Sequence, residues 1–452
     1  MKRMDSGIML ILLIGMLVLA LDTQSVKASR TIYIKPDGSV DGTDKIQRIG
    51  DMYIFTDNIY DSIVVQRNNI AIDGAGYTLQ GTGAFLSSGM SLEGISNITI
   101  KNMEIKVFDC GIYFNRSSEN SVIGNNITAN NFGLFLDKES SNNCIKGNSI
   151  ASNSHTGIEL GGGSNNTVYG NNITNNNAGV YHASSSNNTV SRNSITNNEW
   201  GGIYLGGYSN NNTISWNNIT DSYNGIMLDE TPSNNTILKN NITNNENGID
   251  LFWFSNNNSV VGNNITNNNV GLSLGESSSN TIVENNITNN WHGVELFEFS
   301  NNSFYHNNFV NNTLQVYDYS WDYPYAPSIN TWDYGYPSGG NYWSDHTGPD
   351  LFYGPFQNLP GSDGIVDTPY IIDADNKDNY PLMSPYEYWI NPIPGDINRD
   401  TKVDYTDLFM LAKAYGSKPG DPHWNPNADL NGDNKVDYLD LYILAKHYGQ
   451  ET

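Results

Sequence analysis

The chain is short of cysteine, of positive charge and of long apolar runs, and each shortage excludes something. Two cysteines in 452 residues, Cys110 and Cys144, exclude a disulfide-stapled scaffold and a cysteine metal cluster. They fall in different phases of the repeat described below, and whether they form a bridge stays open. Lys and Arg number 22 against 47 Asp and Glu, a formal net charge of −25. That balance argues against nucleic acid and anionic membranes as partners. Only one long apolar run exists, from Gly7 to Leu21, after Lys2 and Arg3 and before Val26-Lys27-Ala28. It is short for a membrane-spanning helix and reads as a secretory signal over residues 1–28. A secreted, extracellular protein is expected, associated with the cell surface if a partner holds it there and with no membrane insertion after signal cleavage.

What the chain has in abundance is asparagine and glycine in a strict period. Nine copies align on Gly111, Gly133, Gly157, Gly179, Gly202, Gly225, Gly248, Gly271 and Gly293, spaced 22 to 24 residues apart. Such a period marks a solenoid whose copies bury their apolar sides only by stacking. Inside each copy the apolar residues alternate with period two, as in Ile203 and Leu205 or Ile226 and Leu228, which makes short strands and excludes helices. The expectation is an all-β parallel β-helix of about ten or eleven coils, at about 4.7–4.9 Å per coil.

Two asparagine columns fix the register without a break. One runs from Asn125 through Asn148 and Asn171 to Asn307, and the other from Asn120 through Asn143 and Asn166 to Asn302. By parity both point inward at corners, where stacked amides can bond along the rod and asparagine tolerates a left-handed backbone. The neighbours Asn126, Asn172, Asn218 and Asn264 are outward acceptor sequons. His182 takes an inward position that other copies give to leucine or phenylalanine, which suggests a buried, hydrogen-bonded histidine, or else a copper ligand.

The expected divisions are an N-terminal cap at 29–61, the repeats at 62–312, a cap at 313–390, a linker at 391–395 and a last module at 396–450. The cap stretch holds twelve tyrosines and four tryptophans. Its Asn341-Tyr-Trp-Ser-Asp345, Gly364-Ile-Val-Asp-Thr-Pro-Tyr370 and Asp378-Asn-Tyr-Pro-Leu382 resemble the closing motifs of NosD-type proteins. That resemblance implies a right-handed parallel β-helix of the kind found in carbohydrate-binding and sugar-hydrolase domains. The namesake of that family is a periplasmic accessory protein of copper-site maturation, but this chain lacks a compact His, Met and Cys cluster for such a metal.

The last module carries the sharpest motif. Asp396, Asn398, Asp400, Lys402, Asp404 and Asp407 recur 33 residues later as Asp429, Asn431, Asp433, Lys435, Asp437 and Asp440. Oxygen donors at positions 1, 3, 5, 9 and 12, with the lysine offering its backbone carbonyl at position 7, suit a calcium ion in each loop. Leu408, Leu411 and Ala412 recur as Leu441, Leu444 and Ala445 in a helix leaving each loop. Aspartate at position 12 and a single obvious helix per loop resemble a type I dockerin. The resemblance implies two calcium ions and docking to a cohesin-type domain, with Tyr405-Thr406 and Tyr438-Leu439 at the recognition positions.

The residue between the paired apolars of each copy is expected to face outward, giving a strip of aromatics and carboxylates. Tyr181, Trp200, Tyr204, Tyr223 and Trp291 are candidates to stack on sugar rings. Asp250, Glu295 and Glu246 are candidates for a glycosidase pair, which needs two carboxylates roughly 5 to 9.5 Å apart. The strip has no lysine or arginine, which counts against a lyase. The reading is a polysaccharide-binding β-helix tethered through its dockerin, a glycoside hydrolase if it is an enzyme. The alternatives are a non-catalytic structural surface rod and a copper-maturation accessory protein.

Overall fold

The computed structural model describes residues 31–298, 301–319, 328–386, 394–398, 402–418, 421–431, 433 and 435–451. The expected signal at residues 1–28, Asp400 and residues 391–393 of the expected linker lie outside them.

Period-two alternation becomes three parallel sheets that share one chain, with successive turns paired in register. Sheet A has fourteen strands, sheet B thirteen and sheet C twelve. The rod is therefore a turn or two longer than the strict repeat count, because the irregular early coils from Ile32–Ile34 onward join the same sheets. Between the sheets runs a column core: Ile112, Leu134, Ile158, Val180 and Ile203 from sheet A, Val122, Ile145 and Val168 from B, and Ile127, Ile150 and Ile173 from C, each essentially unexposed. At about 25 cal/mol per Å² of apolar surface, every turn gains only from neighbours above and below, so the rod is stable as a stack and not by the turn.

Each turn bends at three corners, and each corner is made the same way. A left-handed residue is followed by an asparagine whose amide turns inward. In one rung these are Asn142, Gly147 and Ser152, with φ of 56°, 65° and 56°, each followed by a buried ladder residue, Asn143, Asn148 and Asn153. The left-handed conformation thus belongs to the preceding residue and not to the ladder asparagine. The asparagine does something else: Asn148 donates from its backbone to Asn171 Oδ1 (2.9 Å) and from Nδ2 to Val122 O (2.9 Å) and Asn171 Oδ1 (3.0 Å). Corner backbone groups that no sheet can pair are satisfied by the next turn's side chain. The third ladder, Asn130, Asn153, Asn176, Asn198, Asn245, Asn268, Asn290 and Asn312, went unnoticed in the sequence, although it lies three residues after each Asn-Asn-Ile isoleucine; Ser222 fills its one gap.

The repeat glycine has a separate cause. A Cβ on Gly248 would lie 2.4 Å from Gly271 O, and one on Gly111 would lie 2.5 Å from Gly133 O. The next turn's backbone passes too close for any side chain.

Both ends are covered. At the start, Ile46–Ile49 and Met52–Phe55 form an antiparallel hairpin. At the far end the cap continues the ladders with new chain: Asn302 N donates to Asn330 Oδ1, Asn330 N to Asn376 Oδ1, and Asn307 N to Asn341 Oδ1. Asp378 closes that last column by accepting from Asn341 N (2.7 Å) and Trp343 Nε1 (2.9 Å). Full burial pushes its carboxyl up to about 7 despite these donors. Phe304 stacks on Trp332, and Phe309 on Trp343 and then Tyr370, at 4.1–4.3 Å between centroids.

Cys110 lies on sheet A and Cys144 on sheet B, and both are free. His182 lies in the core between Leu160 and Leu205. Contrary to the expectation of a hydrogen-bonded ring, neither nitrogen finds a partner.

The last module is all-α. Helices α1 (Tyr405–Ala414) and α2 (Tyr438–His447) start at Asp404 and Asp437, each closed by a reciprocal capping box with Asp407 or Asp440. Ile397, Val403, Leu411, Val436 and Leu444 form a small separate core. Among the described residues no helix is long and apolar enough to cross a membrane.

Candidate functional site: the outer face of sheet A

Register fixes which outward residues become neighbours. One column on sheet A reads Tyr113, Phe135, Glu159, Tyr181, Tyr204, Met227, Asp250, Ser273, Glu295 and Tyr317. Asp250 and Glu295 are two turns apart across Ser273, on the order of 9.6 Å along the rod. Two residues further along the strands lie Asp137, Gly161, Ala183, Gly206 and Asp229.

The strip is not uniformly exposed, and this changes the roles open to its residues. Tyr204 keeps only 7% of its surface, Ser273 7% and Glu295 9%. Tyr181 stacks on Tyr204 at 5.0 Å, Trp200 covers the same ring at 4.6 Å, and Tyr204 Oη donates to Asp229 Oδ2 at 3.2 Å. Tyr204 is therefore a floor residue that positions a carboxylate, and the expectation of an open sugar-stacking ring is corrected by Trp200 lying over it. Trp200, Tyr223 and Trp291 remain 41–57% exposed along the adjoining corner. Gly206 leaves space for the rings beside it: a Cβ there would lie 2.8 Å from Tyr204 Cε1 and 3.3 Å from Tyr181 Cε2.

The carboxylates sit where neighbours remove water. Burial pushes Asp250 up to about 6; the charges of Asp229 and Glu295 add to the rise, and the Ser273 hydroxyl opposes it. Burial likewise raises Glu159 to about 7, against a bond from Thr156. Glu295 accepts from His292 Nδ1, and the His292 ring lies flat on Tyr317 at 5.2 Å. Phe252, Phe297 and Tyr319 wall the same end, with Phe297 stacked on Tyr319 at 4.6 Å. Glu246 is not part of this group: it is exposed, and its carboxylate accepts from Asn269 Nδ2 at 2.8 Å. Asp229, His292 and Tyr319 escaped the sequence reading. Asp229 closes its strand two positions after the column that was read, and His292 shares a column with asparagines and glycine, so no chemical periodicity marked them.

In the dockerin-like loops, position 12 is already built into the fold. Asp407 accepts from Ile397 N, Asn398 N and Asp404 N, and Asp440 from Leu430 N, Asn431 N and Asp437 N, at 2.7–3.2 Å. In the second loop Asp433 N donates to both Asp429 Oδ1 and Asn431 Oδ1, which draws those oxygens together. Among the described residues no three Asp, Glu, His or Cys side chains converge on one point; the donor set drawn together here is carboxylate plus amide, the chemistry of a hard cation.

Comparison with known proteins agrees with this architecture. Residues 50–217 match the family described as a right handed beta helix region, residues 198–348 the periplasmic copper-binding protein (NosD) family, and residues 394–447 the dockerin type I domain. No curated protein matches the chain. Among solved structures, the periplasmic alginate epimerase AlgG is 15% identical with a TM-score of 0.45, over 66% of this chain and 81% of that one. The Azotobacter vinelandii mannuronan C-5 epimerase AlgE6 A-module is 12% identical with a TM-score of 0.43, over 60% and 89%. The chain is a NosD-like right-handed parallel β-helix carrying a C-terminal type I dockerin domain.

Proposed function

We propose that the outer face of sheet A binds a polysaccharide along the rod and hydrolyses it at Asp250 and Glu295, while the dockerin holds the protein to a cohesin-type domain outside the cell. The observation that supports this reading is the alignment, on one face, of exposed Trp200, Tyr223 and Trp291 with a buried carboxylate pair. Asp250, whose carboxyl burial raises to about 6, is the acid toward the leaving oxygen on the acid side of neutrality. Glu295, oriented by His292, is the base toward water. Their rung spacing, on the order of 9.6 Å, is just past the upper limit of about 9.5 Å for inversion, where a water must fit between base and sugar, so the two side chains must lean toward each other.

Two outcomes test it. Reducing-sugar release from a polysaccharide panel should fall about 100-fold or more in Asp250→Asn and in Glu295→Gln, the usual weight of a general acid or base. Polysaccharide binding should weaken about tenfold in Trp200→Ala and again in Trp291→Ala, for roughly 1.4 kcal/mol per ring contact. Retained binding without any sugar release would make the rod a binder; no binding to any polysaccharide would end the proposal.

Calcium belongs to the same reading. Asp396, Asn398, Asp400, Asp404 and Asp407, with Lys402 O, and the equivalent set from Asp429 to Asp440 with Lys435 O, would hold one ion each. Bound calcium would neutralise the clustered carboxylates and fix both loops. On α2 the exposed Tyr438, Leu439 and Tyr442 offer a docking face. Chelation is expected to loosen the module and release it from a cohesin, while the β-helix stays folded; circular dichroism and hydrogen exchange would separate the two. Loss of protection in the rungs on chelation would contradict it.

A further inference from the structure

We infer that the sheet A track selects glycans by charge, taking a polymer of amino sugars, excluding polyuronates and binding neutral chains between the two. This rests on the sugar-track reading above and names its substrate class.

The charge is one-sided where the track lies. Between residues 147 and 376 the only arginine is Arg192 and the only lysine Lys239. Both follow strands of sheet B, Thr189–Ser191 and Thr236–Leu238, away from the sheet A face. Lys239 lies 5.1 Å from the Trp216 ring. Over the same residues the sheet A face presents Asp229 and Glu295, the latter paired with His292, with Glu199 and Glu246 at its corner. A polyanion approaching this stretch meets like charge with no lysine or arginine beside it, while a polycation is drawn in.

The hydrogen-bond inventory points the same way and is independent of the charge count. Asn115 Oδ1, Asp229 Oδ1 and Asp250 Oδ1 are buried on this face, and none finds a donor. All three are acceptors. Two hydroxyls of the face are used already: Tyr204 Oη is spent on the other oxygen of Asp229, and Tyr113 Oη donates to Asp137 Oδ2 at 2.9 Å. Three acceptor oxygens of the face are left without a donor. An ammonium brings three donors and no acceptor, whereas a uronate carboxylate brings acceptors only. A sugar hydroxyl brings one donor, which places neutral glycans in between.

The test uses the full chain and three matched 1,4-linked oligosaccharide series: glucosamine, its neutral N-acetylated counterpart, and a uronate, titrated calorimetrically at low and high salt on the acid side of neutrality. Expected is binding of the glucosamine series about tenfold or more tighter than the uronate series, weakening with salt. Asp229→Asn, which keeps an acceptor for Tyr204 but removes the charge, should bring the glucosamine affinity down toward that of the N-acetylated series. Equal or tighter uronate binding overturns the inference. So does a glucosamine preference that Asp229→Asn leaves unchanged, since that would be attraction to the acidic surface at large. Binding of no series at all, or binding indifferent to Trp200→Ala, overturns the sugar track itself.

Discussion

Asn217→Leu is expected to destabilise the rod by roughly 3–6 kcal/mol, although leucine is close to asparagine in size. Asn217 is 1% exposed. Its Oδ1 accepts from Asn193 N (3.0 Å) and Asn193 Nδ2 (2.9 Å), and its Nδ2 donates to Val190 O (2.9 Å) and Asn240 Oδ1 (3.0 Å). Leucine leaves Asn193 N–H and Val190 O buried without partners, at about 1–3 kcal/mol each, and interrupts the amide row on both sides. The control is Asn218→Ala, one residue away and outward. Its amide oxygen accepts from Asn241 Nδ2 at an exposed position, so the change should stay within about 0.5 kcal/mol. Because turns contact only their neighbours, the loss should show first as hydrogen exchange in the rungs of Asn193 and Asn240, with the N-terminal hairpin unaffected. Equal effects of the two substitutions, or a loss spread evenly along the rod, would mean that the ladder does not carry the corner.

That experiment concerns the part of the molecule most legible in the sequence. Solenoid stacking turns sequence period into spatial adjacency, so Asn171 and Asn193 could be assigned to one ladder from spacing alone. The same arithmetic gave Asp250 and Glu295 as neighbours two turns apart. What spacing could not supply was depth. Tyr204 reads as outward, and its side chain does leave the core, but Trp200 from the preceding corner closes over it. Parity assigns a face; it does not say what lies on top of that face. Asp229 was missed for a related reason: column 204–227–250 was read, and the position two along, where Gly206 meets Asp229, changes residue type at every turn. The cap was legible as aromatic closure but not as a continuation of the ladders, because Asn330, Asn341 and Asn376 reach their columns from 28 to 46 residues away rather than by the 22–24 period.

His182→Leu should do the opposite of Asn217→Leu, raising stability at neutral pH by about 1–3 kcal/mol and removing a component of acid sensitivity. The ring is fully buried between Leu160 and Leu205, and both nitrogens lack partners. A polar group in that state costs about 1–3 kcal/mol, and leucine restores the residue type of the turns on either side. Burial holds the imidazole at about 4, below its ordinary 6.5, against an opposing influence of the Ser185 backbone. The sign follows from which state binds the proton. The unfolded chain takes it up near 6.5 and the folded chain only near 4, so the folded state is favoured above 6.5 and loses stability as pH falls toward 4, by roughly 3 kcal/mol in all. Asp250, Glu159 and Asp378 run the other way, since their raised values favour the folded state as pH falls, but they are common to wild type and variant and cancel in the difference. Urea midpoints measured from pH 7.5 to 4 should therefore diverge, with the variant ahead throughout and the gap widening below about 6.5. A leucine variant less stable than wild type at neutral pH would show that the ring has a bonding partner in the core. Parallel curves would show that His182 takes up its proton equally in both states over this range, which would remove the histidine from the account of the rod's acid response.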